Sequence, residues 1–317
     1  MKVVVASTVS DEFLQDLRVS FPEVTFAAAE TEEEQKREIG DADIFYGRPS
    51  RDVFLAADRL RWLQWVGTGI DQISSVPELV DSDVVLTNMR GPHAAPMANH
   101  ALGMIIALAH RGRELWEDQR QHTWDTAKYS GRMTELGGST MGILALGDIG
   151  MAIARRAHAF DMEVYAVDLK PIPRPPWVRE VWGEERLDDL LAISDWFIVA
   201  VPLTAKSRGM LDRRRIGLLK QGGRLVVMSR GGVVDETALL DGLRSGRIAG
   251  AALDVFDREP LSRESPFWDL SNVVISPHVS AFSAEMVEGR RHIFKENLKR
   301  FLANEPFLYV CDKREGF

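Results

Sequence analysis

The sequence predicts two α/β domains, each a doubly wound parallel sheet of the Rossmann or flavodoxin-like kind, with a cleft between them. Three observations predict it. Short β-branched runs alternate with helix-patterned segments along nearly the whole chain, the mark of parallel strands with helices on their faces. In the second half these runs are apolar almost without a break, as strands covered on both faces are. The chain has 317 residues, too many for one ordinary domain and suited to two of about 150.

The elements follow in order. Lys2 to Ser7 reads KVVVAS, a strand run, and a helix opens at Ser10-Asp11-Glu12. VTFAAA, the acidic segment Glu30 to Gly40, and ADIFYG read as strand, helix, strand. LRWLQWVGTG and DVVLTN add two strands. Asn99 to Trp116 reads as one long, mostly buried helix, and Glu117 to Glu135 follows with little periodicity. A second series then begins with the strand MGILAL, a helix over Asp148 to Phe160 and the strand EVYAVD. WFIVAV, RLVVMS, AGAALDVF and NVVIS are further strands, and the last helix spans Glu285 to Ala303. PIPRPPW, residues 171–177, reads as a rigid surface loop because strand and helix patterns continue on both sides. The expected partition is residues 1–97 plus 283–317 as one domain and 98–282 as the other.

Apolar residues make up 45% and charged residues 27%, ordinary for a globular protein with a sizeable core. The net charge of −8 argues against a nucleic-acid footprint, which needs clustered Lys and Arg. Cys311 is the single cysteine, so no disulfide framework forms within the chain and a reducing compartment fits. The N-terminal MKVVVASTVS lacks the apolar stretch of a signal peptide. The longest apolar run, Ala101 to Ala109, is too short to cross a bilayer. These features lead us to expect a soluble cytoplasmic protein with no membrane partner.

The sharpest local motif is Met141-Gly-Ile-Leu-Ala-Leu-Gly-Asp-Ile-Gly150. A strand enters a Gly-spaced turn and a helix leaves it, the context of the dinucleotide fingerprint GxGxxG. Ala145 stands in place of the first glycine, and a methyl group there is costly only if its φ is positive. Gly147 lets the backbone approach a pyrophosphate, and Gly150 lets the helix pack on the strand. The helix start supplies free N–H groups and a positive dipole end. Asp168 closes the next strand, where a carboxylate accepts from ribose hydroxyls and repels a 2′-phosphate, which favours NAD over NADP. Asp148, in the first helical turn, is expected to face solvent. Lys170 and Arg174 follow Asp168 and leave NADP open.

Three later segments carry a more specific pattern. They are Met228-Ser-Arg-Gly-Gly-Val-Val-Asp-Glu-Thr-Ala-Leu239, then Ala251-Ala-Leu-Asp-Val-Phe256 with Glu259-Pro-Leu261, and Asn272-Val-Val-Ile-Ser-Pro-His-Val-Ser280. In this order, with Glu135-Leu136 leading into the glycine turn, they resemble the D-isomer-specific 2-hydroxyacid dehydrogenase family over nearly the whole chain. The resemblance implies hydride transfer between a nicotinamide cofactor and a small 2-oxo or 2-hydroxy acid, without a metal. It implies a substrate domain, a dinucleotide-binding domain over 98–282, and a homodimer.

The chemistry explains the residue types. Hydride transfer at a carbinol carbon needs a proton to move to or from its oxygen, which calls for a general acid/base. Histidine suits that task. A carboxylate on its other ring nitrogen fixes the tautomer and steadies the charged ring. Arginine's planar fork grips a carboxylate and polarises a carbonyl. The resemblance assigns these roles to His278, Glu259 and Arg230. It further implies cofactor contacts from Leu146, Gly147, Asp148, Ile149 and Gly150, from Asp168, and from Val201, Pro202 and Ser207. Ser229, Arg230, Asp254, His278 and Ser280 complete that set, with Asp254 holding the nicotinamide carboxamide. Backbone N–H groups of Thr68 and Gly69, in VGTGID, would bind the substrate carboxylate as an anion nest.

Plainer readings stand beside these. His278 after Ser-Pro also suits a capped loop, Glu259-Pro260 a solvated turn, Asp254 a helix or turn cap, and VGTG an ordinary Gly-rich turn. Arg48 could meet a second substrate carboxylate or simply be a solvated cation. Arg90 and His93 lie in a segment that suits either a hinge or the cleft border. Trp62, Trp65 and Trp268 are the aromatic candidates beside the substrate's variable group. Two other activities fit the same pattern: an NAD(H)-sensing corepressor-like binding protein, and phosphite-type oxidation on the same fold.

Overall fold

The computed structural model describes residues 1–6 and 9–316. Ser7, which ends the first strand run, and Phe317, which ends the chain, lie outside the described residues. The first stretch runs β1 (Lys2–Val5), α1 (Asp11–Ser20), β2 (Thr25–Ala28), α2 (Glu32–Ile39), β3 (Ile44–Tyr46), α3 (Arg51–Leu55), β4 (Trp62–Gln64), α4 (Pro77–Asp81), β5 (Val85–Thr87). It continues with α5 (Ala94–Ala109), α6 (Gly112–Arg120), β6 (Thr140–Leu144), α7 (Asp148–Ala159), β7 (Glu163–Val167), β8 (Glu180–Trp182) and α8 (Leu187–Ile193). The remainder is β9 (Trp196–Val199), α9 (Arg213–Leu218), β10 (Arg224–Val227), α10 (Glu236–Arg244), β11 (Gly250–Leu253), β12 (Val273–Ile275) and α11 (Ala284–Ala303).

The chain divides into two compact units. One is Met1–His93 with Ser283–Phe317, and the other is Ala94–Phe282. The first boundary falls at 93/94, ahead of the expected 97/98. The reason is that α5 already starts at Ala94, and its Met97 and Ala98 are buried in the second unit's core.

The first unit holds a five-stranded sheet in the order β2-β1-β3-β4-β5, parallel throughout. Its helices start where the sequence supplies caps. Ser10 Oγ accepts from Phe13 N–H at 3.3 Å to open α1. Thr31 and Glu34 form a reciprocal capping box at α2. One face of the sheet is covered by Phe13, Leu14 and Leu17 of α1 together with Phe294 and Leu298 of α11. The other carries Ile39, Val53, Phe54 and Leu79.

The second unit holds a seven-stranded parallel sheet, β12-β11-β10-β9-β6-β7-β8. Its strand order reverses between β6 and β9, the switch point beside which doubly wound sheets bind ligands. Alternate residues serve opposite faces: Leu225 and Val227 enter one core cluster, Val226 and Met228 the other.

Two further details differ from expectation. The single helix expected over Asn99–Trp116 is two, α5 and α6. Arg111 takes a left-handed φ of 56° between them. Gly112 permits the break, because a Cβ there would sit 3.2 Å from the Ala107 Cα. The edge strand β8 has no counterpart in the sequence reading, since Glu-Val-Trp is too short to show a period. Among the described residues, no helix is long and apolar enough to cross a membrane.

Candidate active site

In the second unit every predicted chemical residue follows the carboxyl end of a strand. β6 runs into the glycine turn, where Ala145 adopts φ 75°, the left-handed region that favours glycine. The turn is braced on both sides. Ala145 N–H donates to Val167 O at 2.8 Å, and a Cβ on Gly150 would collide with the Ala145 carbonyl oxygen. Gly147 caps α7 without a side-chain bond, and a Cβ there would meet nothing within 4 Å. The first-turn N–H groups of α7 are therefore approachable, as an anion requires. Asp148 is exposed, and Ile149, in the first turn of α7, packs against the core.

Asp168, just past β7, sits directly under this turn. Its Oδ2 accepts from Leu146 N–H at 2.7 Å and its Oδ1 from Lys170 N–H at 2.9 Å. The carboxylate is fixed in place with acceptor capacity left for hydroxyls. The same bond consumes the N–H of the buried Leu146.

β10, β11 and β12 are neighbours, and Arg230, Asp254 and His278 follow them in turn. His278 Nδ1 lies 2.7 Å from Glu259 Oε2. Glu259 is itself steadied, because Oε1 accepts from Phe256 N–H at 3.1 Å. A carboxylate can only accept, so Nδ1 carries a proton, and in the neutral ring Nε2 presents its lone pair. The pair is partly open to solvent, with side chains 42% and 38% exposed. His278 has φ 55°, and its N–H donates to Asp254 O at 2.9 Å.

Arg230 is half-buried, and its Nη1 donates to Ser229 O at 2.9 Å. Gly231 lets this segment pass tightly, since a Cβ would collide with the Phe256 carbonyl. Gly232, at φ 80°, donates its N–H to the Asp257 carboxylate. Burial pushes the Glu236 carboxyl above its ordinary value, and the nearby Asp257 and Glu259 charges add to that against the Asp257 N–H bond. Ser229 Oγ is buried without a hydrogen-bond partner among the described residues. Such an orphan costs about 1–3 kcal/mol unless a ligand bonds to it. With the open turn at Gly147, it fits a bound dinucleotide on this edge.

Other predicted contacts are spent internally. The Asp254 side chain is 0% exposed and accepts from Ser276 Oγ at 2.6 Å, Val279 N–H at 3.0 Å and Ser280 N–H at 3.2 Å. It organises the turn that carries His278. Ser207 Oγ donates to Pro202 O at 2.6 Å and accepts from Thr204 N–H at 2.8 Å, closing the loop after β9. Val201 is buried in the core. His100 and Ser276, 2.8 Å apart, have no local sequence signal because 176 positions separate them.

The first unit has its own ordered loop at a carboxyl edge, after β4. Gly67 O accepts from Met89 N–H at 2.9 Å, Thr68 O from Asn88 Nδ2 at 2.7 Å, and Gly69 O from Trp65 Nε1 at 3.0 Å. All three carbonyls are occupied, while the N–H groups of Thr68 and Gly69 donate to no described residue. That is the polarity of an anion nest. Arg48 is exposed, donates from Nε to Val66 O at 2.8 Å and lies 5.7 Å from the Trp65 ring centre.

Arg90 Nη2 donates to Val310 O at 2.9 Å. His93 is buried, and its Nε2 takes a bond from Arg290 Nη2 at 2.6 Å. Arginine only donates, so that nitrogen accepts and the ring is neutral. Trp62 and Trp65 are core residues, whereas Trp268 is 41% exposed and bonds Ser262 O.

Comparisons with known proteins agree with this fold. Residues 102–280 match the model of the D-isomer specific 2-hydroxyacid dehydrogenase NAD-binding domain. The chain is 31% identical over 312 residues, 96% of its length, to a D-3-phosphoglycerate dehydrogenase of Methanocaldococcus jannaschii, and spans 58% of that protein. It is 35% identical over 257 residues to a glyoxylate reductase of Korarchaeum cryptofilum, covering 80% of this chain and 76% of that one. It thus spans little more than half the length of the phosphoglycerate dehydrogenase it matches. A solved D-isomer specific 2-hydroxyacid dehydrogenase from Xanthobacter autotrophicus Py2, in complex with NADPH and MES, superposes with a TM-score of 0.86 at 28% identity, covering 100% and 99% of the two chains. The chain belongs to the D-isomer specific 2-hydroxyacid dehydrogenase family, and residues 102–280 are its NAD-binding domain.

Proposed function

We propose that this chain interconverts a small 2-oxo acid and its 2-hydroxy acid, with His278 as acid/base. The observation that carries this reading is the His278–Glu259 pair at 2.7 Å, which leaves Nε2 to face the substrate oxygen. A bound nicotinamide supplies or accepts the hydride. The chain's residues do the rest. His278 Nε2 takes the proton from the hydroxyl during oxidation and returns it to the carbonyl oxygen during reduction. Glu259 fixes the ring's orientation and steadies it when it is charged. Arg230 grips the substrate and polarises its carbonyl. In the first unit, the Thr68 and Gly69 N–H groups have the polarity that suits a carboxylate. Ser229, Gly147 and Asp168 would hold the cofactor, with Asp168 favouring NAD over NADP.

The test is steady-state NADH oxidation with glyoxylate, hydroxypyruvate, pyruvate and phenylpyruvate. Turnover with at least one is expected. His278→Asn should lower kcat by about 10²- to 10⁴-fold, the usual worth of a positioned general acid. Clear NADH binding without turnover on any of the four would favour the sensing role instead.

We also propose a homodimer built on α6 and the segment after it, in a cytoplasmic setting. Trp116 is 57% exposed and Trp124 is 96% exposed there, apolar surface that a second copy would cover. Light scattering of the wild type and of Trp124→Glu decides it. A wild-type monomer would end the idea.

A further inference from the structure

His278 is held in a backbone conformation that non-glycine residues avoid, which persists only where the surroundings impose it. What imposes it is Asp254. Its carbonyl takes the His278 N–H, and its carboxylate takes the N–H groups of the next two residues. The carboxylate is wholly buried, so its own orientation must be fixed by bonds. The third of these comes from Ser276 Oγ, which has a single proton to give. Because a carboxylate cannot donate, that proton points to Asp254. The oxygen of Ser276 must then accept from its other neighbour, His100 Nε2, at 2.8 Å. The direction of the whole chain is thereby set: His100 Nε2–H to Ser276, Ser276 to Asp254, and the backbone of residues 278–280 to Asp254. His100 Nε2 also lies 3.9 Å from Asp254 Oδ1.

We propose that His100, on α5, is a positioning residue, which through Ser276 orients Asp254 and so holds the turn that aims His278. It never touches the substrate. This rests on the acid/base reading of His278 given above. The conventional expectation for Asp254, a direct hold on the cofactor, is not needed for it. A loosened turn displaces the imidazole by a fraction of an ångström, a misplacement that costs rate rather than binding.

The test uses the full-length protein and two readouts. In steady-state assays, His100→Leu removes the donor and should lower kcat about 10- to 100-fold, with KM and NADH affinity within about twofold. His100→Gln keeps an N–H donor of similar reach and should restore most of that loss. Ser276→Ala should match His100→Leu, and adding His100→Leu to it should change little further, because both act on one chain of bonds. Independently of activity, ¹⁵N-histidine NMR of the unliganded wild type should show His100 as the Nε2–H tautomer, with that signature lost in Ser276→Ala. If His278→Asn is inert while His100→Leu turns over normally, the positioning role is wrong and the acid/base role stands. If His278→Asn turns over normally, the acid/base role fails, and the NMR result alone judges the bond chain. An Nδ1–H tautomer for His100 would overturn the inference outright.

Discussion

Replacing Ala145 by glycine should make the protein more stable. The residue holds φ 75°, and both sides of its peptide are pinned, by the Val167 carbonyl and by the close fit of Gly150. The left-handed region costs an L-residue about 1–2 kcal/mol, which glycine does not incur. Against this, glycine's freer unfolded chain costs about 0.4–1 kcal/mol. The net gain is about 0.5–1 kcal/mol, a rise of roughly 1–4 °C in the melting transition of a unit this size. Differential scanning calorimetry and guanidinium titration measure it directly. Gly150→Ala is the opposing control, because its Cβ would strike the Ala145 carbonyl oxygen and should sharply lower the same transition. A fall in stability for Ala145→Gly would show that the methyl group's packing outweighs its backbone strain, and the reasoning would be refuted.

Other perturbations give equally definite outcomes. Asp168→Ala should shift the kcat/KM ratio at least about tenfold from NADH toward NADPH, by removing the charge that repels a 2′-phosphate; an unchanged ratio would show that Asp168 acts only as the acceptor of the Leu146 and Lys170 N–H groups. Glu259→Gln should reduce kcat by about 10²-fold or more without altering NADH binding, and near-normal turnover would remove Glu259 from the mechanism. Burial pushes the Cys311 thiol up to about 11, so its thiolate fraction at pH 8 is about 100-fold below that of an ordinary cysteine and it should react correspondingly slowly with a disulfide reagent. Burial pushes the Asp195 carboxyl up, but Lys220 Nζ at 2.7 Å and Thr140 N–H at 2.9 Å outweigh it and hold it below its ordinary value of 3.8. Its stabilising contribution is thus full above that value and lost as pH falls through the lower, folded-state one, so the gap in guanidinium midpoint between wild type and Asp195→Asn should narrow from pH 6 toward pH 3.

The strands of both sheets were legible because buried parallel strands write their burial into composition. VVVA, IFY, WFIV and VVI need no context to be recognised. β8 was not, since an edge strand of three mixed residues buries too little to leave a pattern. The break at Arg111 was hidden inside an unbroken helical period, because a single left-handed residue leaves the composition untouched. At the candidate site, the order of Arg230, Glu259 and His278 was readable as a pattern, and of these His278 and Glu259 meet. Asp254 was readable as important, but its bonds to Ser276, Val279 and Ser280 were not. His100 was unreadable, because only the packing of α5 on the end of β12 brings it to Ser276.

The order in which the chain is made bears on how it can fold. The second unit is a continuous stretch, complete when Phe282 has left the ribosome. The first is not. Its Trp62 stacks on Phe294 and Phe301, and Phe294 and Leu298 close its core from α11, synthesised some two hundred residues after β4. Until that helix arrives, one face of the first sheet has only α1 to cover it. The half of the molecule made first is therefore finished last, and a nascent or truncated chain ending before Ser283 should need chaperone protection while its continuous half is already native.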